Sequence, residues 1–334
     1  MRIGLTYDLR DDYAGDPTLS EEALAEFDSP ETVAALETAL RRLGHAADRI
    51  GNVRRLAERL VAGDRWDLVF NIAEGLRGRS REAQVPALLE AFDVPYVFSD
   101  PLTQAVGLDK AVAKRLVRSV GLPTAPFQLI ASDEDAENCI LPWPVFVKPV
   151  AEGTGKGCES ASKVDNRADL IAVSAALRRR FGQSAIAETF LSGREFTVGI
   201  LGYGAAARVI AVMEILLLAN ADAEVYSFQN KELCENRVTY RLADDAEARR
   251  AGETALGAYR ALDCRDAARI DMRSDDAGVP HFLEVNTLAG LHPSHSDLPI
   301  LAALAGMPYE ALIAGIVDAA CLRLGLDTAA RRVA

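Results

Sequence analysis

Residues 269–286, RIDMRSDDAGVPHFLEVN, hold carboxylates, an amide and guanidinium groups at spacings that can bring them onto one surface. Two apolar-alternating runs flank SDDAGVP, a segment rich in Asp, Gly and Pro, and this pattern predicts a β-hairpin. Side chains alternate along a strand, so Arg269, Asp271 and Arg273 share one face while Ile270 and Met272 take the other. On the return strand Phe282, Glu284 and Asn286 share a face, opposite Leu283 and Val285. With the polar faces in register, Asp271 meets Glu284 and Asn286, and Arg269 lies beside them. Such hard oxygen donors suit Mg²⁺ when a nucleotide's phosphates supply the remaining ligands. A solvated hairpin face is the alternative for this pattern taken alone.

Other segments carry compatible chemistry. PVFVKPV reads as a strand that places Lys148 within an apolar run, on the opposite face from Val147. Glu152-Gly153-Thr154-Gly155-Lys156-Gly157 follows at once. Glycines let a loop turn tightly and bring backbone N–H groups against phosphate oxygens. A plain hairpin turn would also explain that loop, but the lysine just upstream favours phosphate binding. Residues 188–191 form a connecting segment whose backbone can meet an adenine edge. Glu188 or Glu195 can accept hydrogen bonds from a ribose or an amine. Residues 219–241 are polar and ambiguous, and suit a flap carrying Lys231. His292 and His295 stand in a Gly/Ser-rich loop (287–298) without a third metal ligand, which favours loop hydrogen bonding.

The elements that must position these groups follow from periodicity. Residues 2–7 are a short apolar strand, then an acidic loop runs over 8–28. Ser29 is an N-cap with Pro30 at the first helical position, and Val33, Leu36, Leu40 and Leu43 follow at helical spacing up to Gly44. A second helix covers 53–62, strands cover 67–72 and 95–98, and a helix covers 81–92. Strands alternating with helices imply a parallel, doubly wound sheet, with ligands beyond the carboxyl ends of its strands. Beyond residue 105 come a basic helix from Asp109-Lys110 to Gly121, the 145–150 strand, and a helix over 168–181. Strands over 184–188, 196–201 and 207–215 follow, with a helix over 245–262 leading into the hairpin. Apolar helices at 299–304 and 309–324 come last. The expected division is 1–105, a doubly wound α/β domain; 106–190, a subdomain with the Gly-rich loop; and 191–334, a subdomain with the metal and substrate site.

The 334 residues are 49% hydrophobic and 26% charged, as in an ordinary globular protein. A net charge of −12 argues against nucleic acid or an anionic membrane as partner. No apolar run approaches the roughly 18 residues of a membrane span. Five scattered cysteines without a CxxC pair suit reduced thiols in a cytoplasm.

Taken together, Lys110, KPVAEGTGKG, AETFLSGREFTV, Lys231 and RIDMR…FLEVNTLAGLHPSHS occur in an order that resembles the D-alanine–D-alanine ligase branch of the ATP-grasp ligases. The resemblance is strongest over 108–296. It implies an N-terminal parallel-sheet domain followed by two α+β subdomains that clamp ATP. Lys110 and Lys148 would contact the nucleotide, and Glu152, Gly153, Thr154, Gly155 and Gly157 would close over its phosphates. Glu188, Phe190 and Leu191 would line the adenine pocket, Glu195 would hold the ribose, and Lys231 would reach the γ-phosphate. Asp271, Glu284 and Asn286 would hold two Mg²⁺ ions, for which Mn²⁺ can substitute. Arg269, grouped with Lys231 and Gly290 as catalytic, would steady a tetrahedral oxyanion. Ser294 and Ser296 would meet the second substrate's carboxylate, in a loop one residue longer than the family pattern through Pro293. A homodimer is also implied.

The chain departs from the family after the third strand. Where the family has a His-Gly-rich acidic motif for the first D-alanine, this sequence reads NIAEGLRGRSREAQ. No histidine is present, and Glu74, Arg77, Arg79 and Arg81 stand there instead. Glu31 is the candidate for the family's upstream helix glutamate. Arginines in that loop suggest a first substrate with an extra anionic or acceptor group, unless they face solvent. The expectation is an ATP-dependent carboxylate–amine ligase, working through an acylphosphate, that joins an amino acid to a carboxylate other than D-alanine. The alternatives are a D-alanine–D-alanine ligase, a non-catalytic nucleotide-binding protein, and a ligase with a thiol or hydroxyl acceptor.

Overall fold

A computed structural model describes residues 1–13, 15–16, 19–218 and 234–326. Three sheets organise it. The first is parallel, in the order β2-β1-β3, with β1 at Arg2–Thr6, β2 at Ala46–Gly51 and β3 at Leu68–Asn71. The Pro30–Arg42 helix between β1 and β2 starts as its sequence predicts: the Ser29 hydroxyl accepts from the Thr32 N–H at 3.3 Å. Its buried stripe of Val33, Leu36 and Leu40 faces the sheet, as an amphipathic helix must.

The strand β2 carries no alternation and escapes the periodicity argument. Its Asp48 accepts hydrogen bonds from Arg2, Arg59 and Trp66 on the protein's outer side. The strand expected at 95–98 shrinks to one parallel bridge between Tyr96 and Val69, since Phe98 adopts φ 77° and ends the extended run. The acidic loop includes two short helical turns, Arg10–Tyr13 and Glu21–Leu24. A helix at Pro101–Leu108 is an addition. Asp100 caps it through the Thr103 N–H at 2.8 Å, with Pro101 next, the same signal that marks the earlier helix.

The second sheet is antiparallel, in the order β4-β7-β5-β6: β4 is Phe127–Ile130, β5 Val145–Pro149, β6 Lys163–Val164 and β7 Ala185–Thr189. The third, also antiparallel, runs β10-β9-β8-β11-β12, with β8 at Glu195–Leu201, β9 at Arg208–Leu217, β10 at Val238–Leu242, β11 at Ala267–Ser274 and β12 at Pro280–Asn286. The Ala246–Ala261 helix packs its Ala248, Ala251, Ala255 and Tyr259 against this sheet's apolar face. The last two helices, Asp297–Leu304 and Tyr309–Leu324, share a core with the first sheet, where Leu298, Leu312 and Ile316 meet Ile3, Leu5 and Leu36. Among the described residues no single helix is long and apolar enough to cross a membrane.

Candidate active site

The β11–β12 hairpin forms in the expected register: Arg269 pairs with Asn286 and Asp271 with Glu284. One detail differs. The register shifts beyond Asp271, where Met272 faces Phe282, so Leu283 is the extra residue of a bulge. That extra residue reverses the alternation. Phe282 therefore joins Ile270, Met272 and Val285 in the core, and Leu283 takes the cleft side with Glu284.

On the polar face Arg269 donates through Nε and Nη2 to the Asp271 carboxylate at 3.1 Å each, and its Nη1 lies 3.2 Å from Asp297. Thr197 on β8 and Asn286 donate to the same Asp271 at 3.0 and 3.3 Å. Burial alone would depress the Arg269 guanidinium, but Asp271 and Asp297 outweigh it and hold the charge firmly in place. Asp297 is absent from the sequence-predicted set. It opens the helix after the Gly/Ser loop, and nothing in its spacing links it to Arg269.

A narrow cleft of about 90 Å³ lies between the second and third sheets. Lys110, Lys148, Glu152, Gly155, Glu188, Phe190 and Leu191, all predicted for the nucleotide, line it, together with Asp271 and Glu284. Its floor is a chain of alternating charges. Lys110 is 3.3 Å from Glu284, Glu284 is 3.8 Å from Lys148, Lys148 is 3.2 Å from Glu188, and Glu188 is 2.8 Å from Lys114. Lys110, Lys148, Lys156 and Arg273 of the lining balance Glu152, Glu188, Asp271 and Glu284. Burial pushes the Lys114 ammonium down to about 8. Lys148 is raised despite its burial, because Glu188 and Glu284 flank it. Glu188 thus has its carboxylate between two lysines. Lys114 was not predicted, although its position four residues after Lys110 puts both on one helix face. Glu195 sits at the edge of the cleft, 3.3 Å from Arg273.

The Gly-rich loop behaves as an anion cradle. Thr154, Gly155 and Gly157 have φ of 55°, 73° and 71°. The Gly153 and Gly157 N–H groups donate to carboxylates, Glu26 at 2.8 Å and Glu22 at 3.0 Å. Lys156 pairs with Glu26 at 3.0 Å and Glu152 at 2.6 Å. Both Glu22 and Glu26 come from the acidic segment after β1, where the sequence offers no periodic signal to single them out.

A larger cavity of about 520 Å³ adjoins the cleft and shares Lys110, Glu152 and Glu284 with it. Arg269, Asn286, Gly290, Ser294, Ser296, Glu74, Gly153 and Thr154 of the predicted set line this cavity. The Ser296 hydroxyl accepts from the His292 N–H at 3.0 Å, and a Cβ at Gly290 would meet that hydroxyl at 2.7 Å. His292 Nδ1 accepts from the Ser294 N–H at 3.3 Å, the loop hydrogen bonding expected of it.

Several predicted residues lie elsewhere. Arg77 is exposed and 3.7 Å from Asp16, outside the cavity lining, and Arg79 pairs with Asp109 at 2.5 Å. Arg81 is buried, but Glu26 at 3.1 Å and the Ala151 carbonyl at 3.1 Å occupy its guanidinium. Glu31 is exposed on the first helical turn, and Glu26 is the glutamate that reaches the cavity. Lys231 lies outside the described residues. Among those residues no group of three or more His, Cys, Asp or Glu side chains is gathered around a metal position. Two carboxylates and an amide are instead the set that phosphate oxygens would complete.

The family model for the D-ala D-ala ligase C-terminus matches residues 116–318. A D-alanine–D-alanine ligase of Gluconobacter oxydans is 35% identical over 295 residues, spanning 87% of this chain and 93% of its own. An uncharacterized protein of Sinorhizobium fredii is 33% identical over 261 residues, 76% of this chain and 74% of its own. The crystal structure of the Bacillus anthracis D-alanine–D-alanine ligase complexed with ATP superposes with a TM-score of 0.72 over 97% of this chain and 98% of that one, at 22% identity. The chain therefore has the ATP-grasp fold and belongs to the D-alanine–D-alanine ligase family, whose members form C–N bonds with ATP.

Proposed function

We propose that this ligase activates one amino acid as an acylphosphate and joins it to the amine of a second, with D-alanine the reference substrate at both positions. The observation that carries the reading is the hairpin face, where Arg269, Asp271, Glu284 and Asn286 stand at the junction of cleft and cavity. Relatives named as D-alanine–D-alanine ligases at 32–35% identity support the substrate class.

In this reading Lys110, Lys148 and the Gly153–Gly157 amides hold the ATP phosphates. Glu188, Phe190 and Leu191 flank the adenine and Glu195 takes the ribose. Asp271, Glu284 and Asn286 would hold Mg²⁺, which when bound offsets charge on the transferring phosphoryl group. The lysines that now face Glu188 and Glu284 do the same from the protein side. The substrate carboxylate, a poor electrophile, becomes an acylphosphate in the cavity. An amine then attacks the acyl carbon and phosphate departs. Arg269 and the Gly290 N–H stabilise the tetrahedral oxyanion, and Ser294 and Ser296 orient the second carboxylate. The protein acts in the cytoplasm as a homodimer.

A second reading, in which the activated carboxylate is not D-alanine, is favoured by one observation: the segment after β3 gives the cavity wall Glu74 and Glu82 and no histidine. ADP release with Mg-ATP separates the two. Robust turnover on D-alanine alone supports the first reading, and turnover only with another pair supports the second. No ADP release with any amino-acid pair would sink both.

A further inference from the structure

We propose that the end of the larger cavity formed by the segment after β1 and the loop after β3 binds a cationic nitrogen on the side chain of the activated amino acid. The proposal rests on the ligase reading but not on D-alanine as substrate. Its basis is a local count of charges. Glu26 is engaged by Arg81, Lys156 and the Gly153 N–H. Glu152 takes Arg81 and Lys156, and Glu284 takes Lys110 and Lys148. These pairs use the cations nearest the cavity wall.

Glu74 and Glu82 are left over. Both line the cavity, and Glu82 is only 8% exposed. Among the described residues neither carboxylate has a hydrogen bond or an ion pair. Asp28 lies in the same wall, and the nearby Arg10 is bound to the carbonyls of Ala25 and Phe27. A buried carboxylate without a partner is unfavourable and must take up either a proton or a cation. The proton affinities agree: burial pushes Glu82 up to about 7, and burial with neighbouring Glu82 pushes Glu74 well above its ordinary range. Burial with Asp8 likewise pushes Asp28 up to about 7.

The α-ammonium of any amino acid can match one of these carboxylates, but a neutral alkyl side chain leaves the rest unmatched, and an anionic one would be repelled. A side-chain ammonium or guanidinium meets both. This reverses the expectation drawn from the arginines of the same loop, whose guanidinium groups are either outside the cavity or already bound.

Matched amino acids test the proposal: lysine against norleucine and ornithine against norvaline, in both configurations, with the full chain. Each is measured by calorimetric titration and by ADP release with D-alanine as acceptor. The expected result is that a basic member binds or turns over at least tenfold better than its neutral counterpart. Glu82→Gln and Glu74→Gln should each cut that ratio severalfold or more. Equal use of basic and neutral members, or a preference that survives both variants, overturns the subsite. Turnover on D-alanine with no basic preference overturns the subsite and leaves the ligase reading standing. Selective binding of basic amino acids with no ADP release from any pair supports the subsite and faults the ligase reading.

Discussion

Lys114 and Glu188 meet at 2.8 Å where the Lys110–Ser119 helix passes β7, and their side chains are 0% and 4% exposed. Lys114 also donates to the Thr124 hydroxyl and the Phe282 carbonyl, at 3.1 and 3.0 Å. It thus ties the floor of the cleft to the β11–β12 hairpin. Lys114→Met should destabilise the fold by about 1–3 kcal/mol, because Glu188 keeps Lys148 while the Thr124 and Phe282 acceptors lose a donor. Urea unfolding measures the loss. Adding Glu188→Gln should restore little of it, and recovery in the double variant would mean that Lys114 acts through Glu188 instead.

Arg269 is fixed by two carboxylates, and only a planar guanidinium can span both in that geometry. Arg269→Lys is expected to lower kcat roughly 10²–10³-fold, the scale for losing one oxyanion donor. The KM for ATP should move far less. Steady-state ADP release at saturating amino acid checks this, and a change confined to the KM for ATP would place Arg269 in nucleotide binding.

Gly157 turns at φ 71°, and a Cβ there would meet Pro149 and Phe181 at 2.7 and 2.8 Å. Neither ring can yield easily. Gly157→Ala should displace the loop and weaken ATP binding about tenfold or more, about 1.4 kcal/mol. Nucleotide titration of the variant reports it, and unchanged affinity would remove the loop from the phosphate site.

Acid–base linkage supplies a fourth expectation. An unfolded glutamate releases its proton near about 4.3, whereas folded Glu82 does so near about 7. The native state therefore holds the extra proton between those values. Its contribution is complete below the unfolded value and is lost as pH rises through the folded one. Glu82→Gln should flatten that decline and be more stable than wild type at pH 8, by roughly 1–3 kcal/mol. Thermal midpoints at pH 5 and pH 8 decide the matter, and parallel slopes for the two proteins would refute it.

Much of the site was legible because strand alternation and glycine chemistry are local. The pairing of Asp271 with Glu284 follows from counting by twos, and the left-handed turns at Gly155 and Gly157 follow from the loop's glycines. The bulge at Leu283 was not legible, since one extra residue leaves no compositional trace and yet sends Phe282 to the opposite face. Glu26 and Glu82 were missed for a different reason. Glu26 finds its partners Arg81 and Lys156 far away in sequence, Glu82 is buried within a loop whose arginines make it look solvated, and neither fact leaves a local signal. The strand β2 was lost because its polar residues serve an exterior ion-pair cluster and interrupt the apolar pattern.

The shared core between the chain's two ends has a consequence for synthesis. Ile3, Leu5 and Leu36 are sealed by Leu298, Leu312 and Ile316 from the last two helices. A nascent chain emerges with its N-terminus first, so the first sheet stays partly uncovered until residues 298–316 have left the ribosome. Truncation before residue 297 would remove Leu298, Leu312 and Ile316 and uncover Ile3, Leu5 and Leu36 of the first sheet's core.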